Sequence, residues 1–397
     1  MPLFAQNVGI GTTKPAESAA LDITNSSKGI LIPRMTEAQR TAIPNPSEGL
    51  LVFQTDNSKG FWYFDGSSWT TLISCAIGSL DCFQSTQSGL LIAEQFSSAN
   101  ITIPYTEGTG CAYSGQSINS TSITGLSASL SSGKFAVGSG NLSFNVSGVT
   151  ALAGLANFSL SIGAKSCVFK AMVYPAGSAT GITAHTCGSA NVHNAAIPYG
   201  TMTDQQGNTY RTVQIGNQLW MAENLKTTQY RNGDAIPNIT DNTVWANTLD
   251  GACCSYENNI SNDCPYGKLY NWYAVNDSRN ICPTGWRVPS SSDLSNLVAF
   301  LGGPSRAGGK MKSTGTQFWY SPNIGATNES GFSGLPGAYR LNNGSFGAPL
   351  RDGGFWWTTF SFGDIALFSA LVSYETVIYN SGYNPKKFGY SVRCIKE

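Results

Sequence analysis

The chain has few of the residues that most chemistry draws on. It contains two histidines, His185 and His193, in 397 residues, and no CxxC pair accompanies them, which argues against a tetrahedral zinc site. Charged residues make up 12%, about half the usual share, and 23 basic side chains balance 23 acidic ones. Such a balance creates no field to gather phosphate backbones or anionic lipid, so nucleic acid and membrane surfaces are poor partners. No stretch approaches the ~20 apolar residues needed to span a bilayer as a helix, so no membrane insertion is expected.

What is abundant points elsewhere. Glycine (44), tyrosine (17) and tryptophan (9) give a β-rich, extracellular composition, suited to neutral partners such as glycans or other proteins. Ten cysteines without metal-binding spacing read as disulfides of a secreted chain. Position suggests Cys82 with Cys167 and Cys282 with Cys394. Cys75, Cys111, Cys187, Cys253, Cys254 and Cys264 stay unassigned, with one disulfide and one odd thiol expected among the last three. The start, MPLFAQ, is too short for a secretory signal, yet LFAQ reads like the end of one, with a mature start at Asn7.

The chain divides into three regions: 1–74, 75–187 and 188–397. In the first, Thr36 and Gln39 form a capping box for a short helix that Pro44 stops. The rest alternates as strands, with Leu50 and Val52, then Phe61 and Tyr63, and the turn DGSS before Trp69. Seventy residues with so little continuous core are marginal alone, and oligomerisation is the simplest remedy. The run VGIGTTKPAESAALDI, with KGILIPRMTEAQR and GFWYFDGSSW, resembles the head module of many Bacteroidetes surface and fibre-like proteins, which implies assembly or attachment.

Between Ala76 and Gly200 only six charged residues occur: Asp81, Glu94, Glu107, Lys134, Lys165 and Lys170. Period-two patterns at Ile101 and Ile103, at Leu142, Phe144 and Val146, and at Phe158, Leu160 and Ile162 indicate an immunoglobulin-like β-sandwich. This stretch also resembles a spacer repeat of secreted Bacteroidetes proteins.

The last region reads DQQGNTYRTVQIGNQLWMAENLKTTQYRNGD, then YGKLYNWYAVNDSRNICPTGWRVPSSSDLSNLVAFLGG, and ends FGYSVRC. It resembles the Fibrobacter succinogenes major paralogous (FISUMP) domain family, which implies a C-type lectin-like α+β fold. That fold is shared by formylglycine-generating enzymes and by hypervariable phage receptor-binding proteins. The residues agree: Leu294, Leu297, Val298 and Leu301 recur at helical spacing, behind serines able to cap and Asp293 in the first turn, and ahead of Gly302 and Gly303. KLYNWYAV reads as a second helix, with Leu269, Trp272 and Tyr273 on one face. A Cys282–Cys394 bridge would close a loop worth about 4 to 5 kcal/mol in the chain-entropy model.

Catalysis finds little support in this pattern. No histidine occurs in 194–397, and Asp277, Asp293, Glu329, Asp352, Asp364 and Glu375 are scattered. The chain is read as non-enzymatic, without cofactor or metal. Asn323, Asn328 and Glu329 offer one carboxylate among them, thin for calcium, and read as loop-fixing residues. In FWWTTFSF a strand would turn Trp356, Thr358 and Phe360 one way and Phe355, Trp357, Thr359 and Ser361 the other, with Trp357 in the core. In the phage proteins the region before the last strand forms the ligand face, which by resemblance nominates Phe362, Asp364, Tyr374, Tyr379 and Tyr383. Core tyrosines would explain the same letters. Arg340, Asn342, Asn343 and Phe346 join the candidate set from the YRLNNGSFG loop.

The expected function is that of a secreted or cell-surface adhesin or fibre protein whose head binds a surface glycan or protein. Copies of itself would be its assembly partners, as a trimer or a filament. The alternatives are a filament subunit and a tail-fibre receptor binder of a phage-like or injection particle.

Overall fold

A computed structural model describes residues 7–57, 59–72 and 76–397, so the MPLFAQ start and Cys75 lie outside the described residues. It divides into two compact units, Met1–Ala76 and Ile77–Glu397. The molecule is mostly β, with few helices.

In the first unit a parallel pair joins Val8–Ile10 to Leu21–Ile23. A four-stranded sheet runs Arg34–Met35, Leu51–Gln54, Gly60–Phe64, Trp69–Thr71. The helix Glu37–Thr41 carries the expected capping box: Thr36 Oγ1 accepts from Gln39 N at 3.3 Å while Gln39 Oε1 accepts from Thr36 N at 2.9 Å. Its inward residue is Arg40, whose guanidinium lies 4.1 Å over the Trp62 ring and whose Nε donates to Gln54 Oε1 at 2.8 Å. Val52 is the only apolar side chain fully buried among the described residues of this unit, whereas Val8, Ile10, Leu21, Ile30, Leu31 and Leu72 are all exposed. One buried valine does not offset the conformational entropy of ordering the described residues of this unit.

The second unit opens with two facing sheets. The larger runs Gln116–Asn119, Leu126–Leu130, Val137–Gly148, Ser97–Thr109, Ser79–Leu80, with Thr86–Ser88 also paired to Ser97–Thr109. The smaller runs Gly154–Ile162, Lys165–Tyr174, Leu91–Ile92. Alternate side chains point inward, and Phe144 of one sheet meets Phe169 of the other at 5.0 Å between ring centroids. Cys82 and Cys167 are bonded across this sandwich, with Cα atoms 6.1 Å apart. The C-terminal part packs directly against the sandwich: Ala179 bridges Tyr199, and Asn217 Oδ1 accepts from Leu155 N at 2.8 Å.

That α+β part rests on a five-stranded sheet ordered Tyr199–Thr203, Thr209–Ile215, Gln218–Met221, Ile395–Lys396, Trp286–Arg287. The helix Ser291–Phe300 starts at a Ser290/Asp293 capping box and buries Leu294, Leu297 and Val298. Arg287 clamps Asp293 through two contacts of 2.6 and 2.9 Å. KLYNWYAV departs from the expected single helix. Leu269–Tyr270 is a strand paired with Cys253–Cys254, and the helix is only Trp272–Val275. Asn271 separates them, because its side chain accepts from Ala274 N and so starts the helix.

Cys282 and Cys394 are bonded over 112 residues of separation, and a further bridge joins Cys187 to Cys264. Cys111 is also disulfide-bonded. The Cys253, Cys254 and Cys264 grouping needs correction, since Cys253 and Cys254 are both buried free thiols. They are consecutive strand residues, so their side chains leave opposite faces of the chain: Cys253 packs with Tyr270, Cys254 with Trp245.

Candidate functional site

The sheet built from FWWTTFSF has three antiparallel strands: Gly353–Phe362, Ile365–Val372 and Ile378–Pro385. Its inner half is covered on both faces. Trp356 enters one core beside Phe332 and Leu371, and Trp357 enters another, 4.5 Å from the Tyr390 ring. Trp356, Trp357 and Thr358 are buried in succession, and the register slips between Trp357 and Ser361. Beyond that bulge the sheet leaves the core.

The nine nominated residues separate into three places. At the free end of the sheet, Phe362 is 77% exposed, Asp364 is exposed in the turn, and Tyr383 is half exposed. Phe360 and Ile365, not nominated from sequence, join them: the Phe360 and Tyr383 rings stand 6.3 Å apart, and Ile365 pairs with both Phe362 and Pro385. Tyr379 sits four residues from Tyr383 along the same strand, about 13 Å away. It belongs with Tyr374 at the opposite end, where its hydroxyl donates to Glu375 Oε2. That turn is held from below by Lys312, a buried ammonium donating to the carbonyls of Ile324, Val372 and Glu375 at 2.9, 3.0 and 2.7 Å. Burial pulls Lys312 down to about 8.

The third place is the 340–346 loop, and here Arg340 needs correction as a ligand residue. It is fully buried, donates to Gly344 O (2.7 Å), Ile239 O, Thr240 O (3.0 Å) and Asn242 Oδ1 (3.0 Å), and lies 4.4 Å over the Trp245 ring. Its donors are engaged within the fold. Phe346 packs on Tyr256 at 5.3 Å between ring centroids and serves the same scaffold. Asn342 and Asn343 are exposed, and Asn343 Oδ1 accepts from Ser345 N and Oγ to form the turn.

A buried network gathers the two histidines around Glu223. Glu223 accepts from Thr186 N (2.8 Å), Thr186 Oγ1 (2.6 Å) and His193 Nε2 (3.0 Å), with His185 Nε2 3.7 Å away. His193 Nδ1 in turn lies 3.0 Å from Ser333 Oγ. Burial lowers both histidines, His185 to about 4. Burial alone would raise Glu223, but the His193 hydrogen bond, the His185 charge and Thr186 hold it at about 2.

A serine, a histidine and a carboxylate in hydrogen-bonded order is the arrangement of a nucleophile relay. Ser333, however, is 0% exposed and already bonded to Asn328 and the Gly331 carbonyl, so its oxygen has no face open to a substrate. The network ties residues 185–193 to 223 and to 328–333. His193 stands one position before the histidine-free stretch 194–397, and no spacing links it to Glu223 or Ser333.

Asn323 donates to the Ser313 and Gly315 carbonyls, Asn328 bonds Ser333, and Glu329 pairs with Lys310 at 2.7 Å, so each of the three is tied into its own surroundings. Among the described residues no three His, Cys, Asp or Glu side chains group to hold a metal ion.

Residues 213–396 match the family described as Fibrobacter succinogenes major domain. Residues 9–89 match the phage tail like trimerisation region. Neither is an enzyme family, and together they fit a surface or fibre-type protein. Searches of curated proteins and of solved structures each find no match.

Proposed function

We propose that the chain is a secreted, self-associating fibre protein whose C-terminal head binds a cell-surface glycan or protein through the free end of its three-stranded sheet. The observation that carries this reading is the cluster of Phe360, Phe362, Ile365 and Tyr383. These large side chains stand together in water at the end of a sheet whose other half is sealed in core. Aromatic side chains with few rotors to freeze make efficient contact surface. Tyr374 and Tyr379 would form a second, separate contact, and Asn342 and Asn343 a third. The bridges Cys82–Cys167, Cys187–Cys264 and Cys282–Cys394 suit an oxidising exterior.

Self-association draws on two independent supports, the trimerisation-region match over residues 9–89 and an N-terminal unit with one buried apolar side chain among its described residues. The same match favours a second reading, a tail-fibre receptor binder carried on a phage-like or injection particle. Light scattering on the eluted protein tests the assembly. Three copies of 42.1 kDa give about 126 kDa, whereas a monomer would remove the fibre reading and megadalton material would favour a filament. Binding to intact cells, lost in Phe362→Ala with an unchanged melting temperature, tests the head.

A further inference from the structure

A cavity of about 460 Å³ opens beside the short helix Trp272–Val275, lined by side chains other than those of the exposed sheet end. Its size falls in the range of about 300 to 1,000 Å³ that buries small ligands. The polar residues around it are Asp250, Asn276, Asp277 and Arg279, with Tyr273 and Leu249 among the walls. Asp277 is held by Arg279 at 2.9 and 2.8 Å, Arg279 also reaches Asp234 at 3.2 Å, and its guanidinium lies 4.0 Å over the Tyr230 ring. The charged groups on this wall are therefore fixed before any ligand arrives.

One feature marks the wall as unfinished. Behind it Tyr230 is fully buried, with its hydroxyl beside the Asp277 carboxylate and against Gly251, a lining residue where a Cβ would collide with that hydroxyl. Asp250 is exposed at the rim, and its carboxylate takes part in no hydrogen bond or ion pair among the described residues.

We propose that this cavity binds one neutral sugar residue, independently of the exposed end of the sheet. A cation is disfavoured because two cations already stand at this wall over aromatic faces: Lys386 Nζ lies 4.5 Å over Trp272, and Arg279 covers Tyr230 behind the lining. An anion would meet Asp234, Asp250 and Asp277 against a single guanidinium. A polyhydroxylated neutral ring satisfies both kinds of group. Its hydroxyls donate to Asp250 and accept from Arg279 and Asn276, while its C–H face rests on Leu249 and Tyr273.

The test is saturation-transfer NMR on the full chain, using the methyl glycosides of neutral hexoses and N-acetylhexosamines as probes and tetramethylammonium as a competitor. The expected result is transfer to at least one glycoside, weakened about tenfold or more in Asp250→Ala and in Tyr273→Ala. Binding should be unchanged in Phe362→Ala, and tetramethylammonium should not displace the sugar. No transfer to any glycoside, equal affinity in Asp250→Ala, or displacement by tetramethylammonium overturns the proposal. Because Phe362→Ala removes cell attachment through the sheet end and leaves this binding intact, the two readings fail separately.

Discussion

Acidification should loosen the head before it protonates most carboxylates, and the cause is His185. Its Nδ1 accepts from Cys187 N at 3.1 Å, so the proton sits on Nε2, which faces Glu223 Oε2. Burial lowers its pKa from 6.5 to about 4, against the opposing pull of Glu223, while His193, Lys226 and Arg393 push the same way as burial. In the unfolded chain the ring takes a proton near 6.5, whereas in the fold it resists until about 4. Stability is therefore full above pH 6.5 and falls as pH drops from 6.5 to 4. About two and a half pH units at 1.36 kcal/mol each give a loss of about 3 kcal/mol. For a body of this size that corresponds to about 6 to 12 °C in melting temperature.

Glu223 acts lower, because its depressed carboxyl loses its stabilising effect only as pH falls below 4.5 toward 2. Calorimetry from pH 8 to pH 4 reads the effect. His185→Asn keeps an acceptor for Cys187 N and removes the titrating ring. Its melting temperature should fall less steeply than the parent's between pH 6.5 and 4.5, with a residual slope from His193, which burial also lowers. A variant whose curve parallels the parent's would refute the assignment.

Other outcomes rest on the same geometry. Arg340→Ala should lower stability by about 3 kcal/mol, because four acceptors lose their donor inside the fold, whereas Asn342→Ala should change it by less than about 0.5 kcal/mol; thermal melts separate the two. Removing the bridge with Cys282→Ser and Cys394→Ser should cost about 4 to 5 kcal/mol in the chain-entropy model, seen as a melting temperature below that of the oxidised parent and above that of the fully reduced parent, which also loses Cys82–Cys167 and Cys187–Cys264. Alkylation mapped by mass spectrometry should leave Cys253 and Cys254 untouched in the native protein and modify both after denaturation. Burial comes first in raising these thiols, to about 12 and about 11.

What can be read from the sequence is local. The capping box at Thr36 with Gln39 is encoded within four residues and forms as read, and among the serines able to cap the second helix Ser290 does so, in a box with Asp293. The alternation at Ile101, Ile103, Leu142, Phe144 and Val146 is likewise a property of single strands. Arg340 reads wrongly as a ligand residue because its partners at Ile239, Thr240 and Asn242 lie about a hundred residues upstream, and a basic residue amid LNNGS looks like surface. Phe360 is read only as the continuation of the Trp356 and Thr358 face, because the bulge that carries it out of the core leaves no mark in the alternation. The Asp250 and Asp277 cavity wall is assembled from segments that share no motif, so no spacing could announce it.

One consequence concerns how such a head tolerates substitution. The strand Gln218–Met221, near where the domain is entered, lies directly beside Ile395–Lys396, where it is left, and the Cys282–Cys394 bond rivets the second to the interior. Entrance and exit are thus neighbours, and the tip from Phe360 to Ile365 is remote from both in the chain. Substitutions in the tip therefore leave untouched the seam at Leu155 and Asn217 and the Cys187–Cys264 bond, through which the C-terminal part is joined to the residues before it.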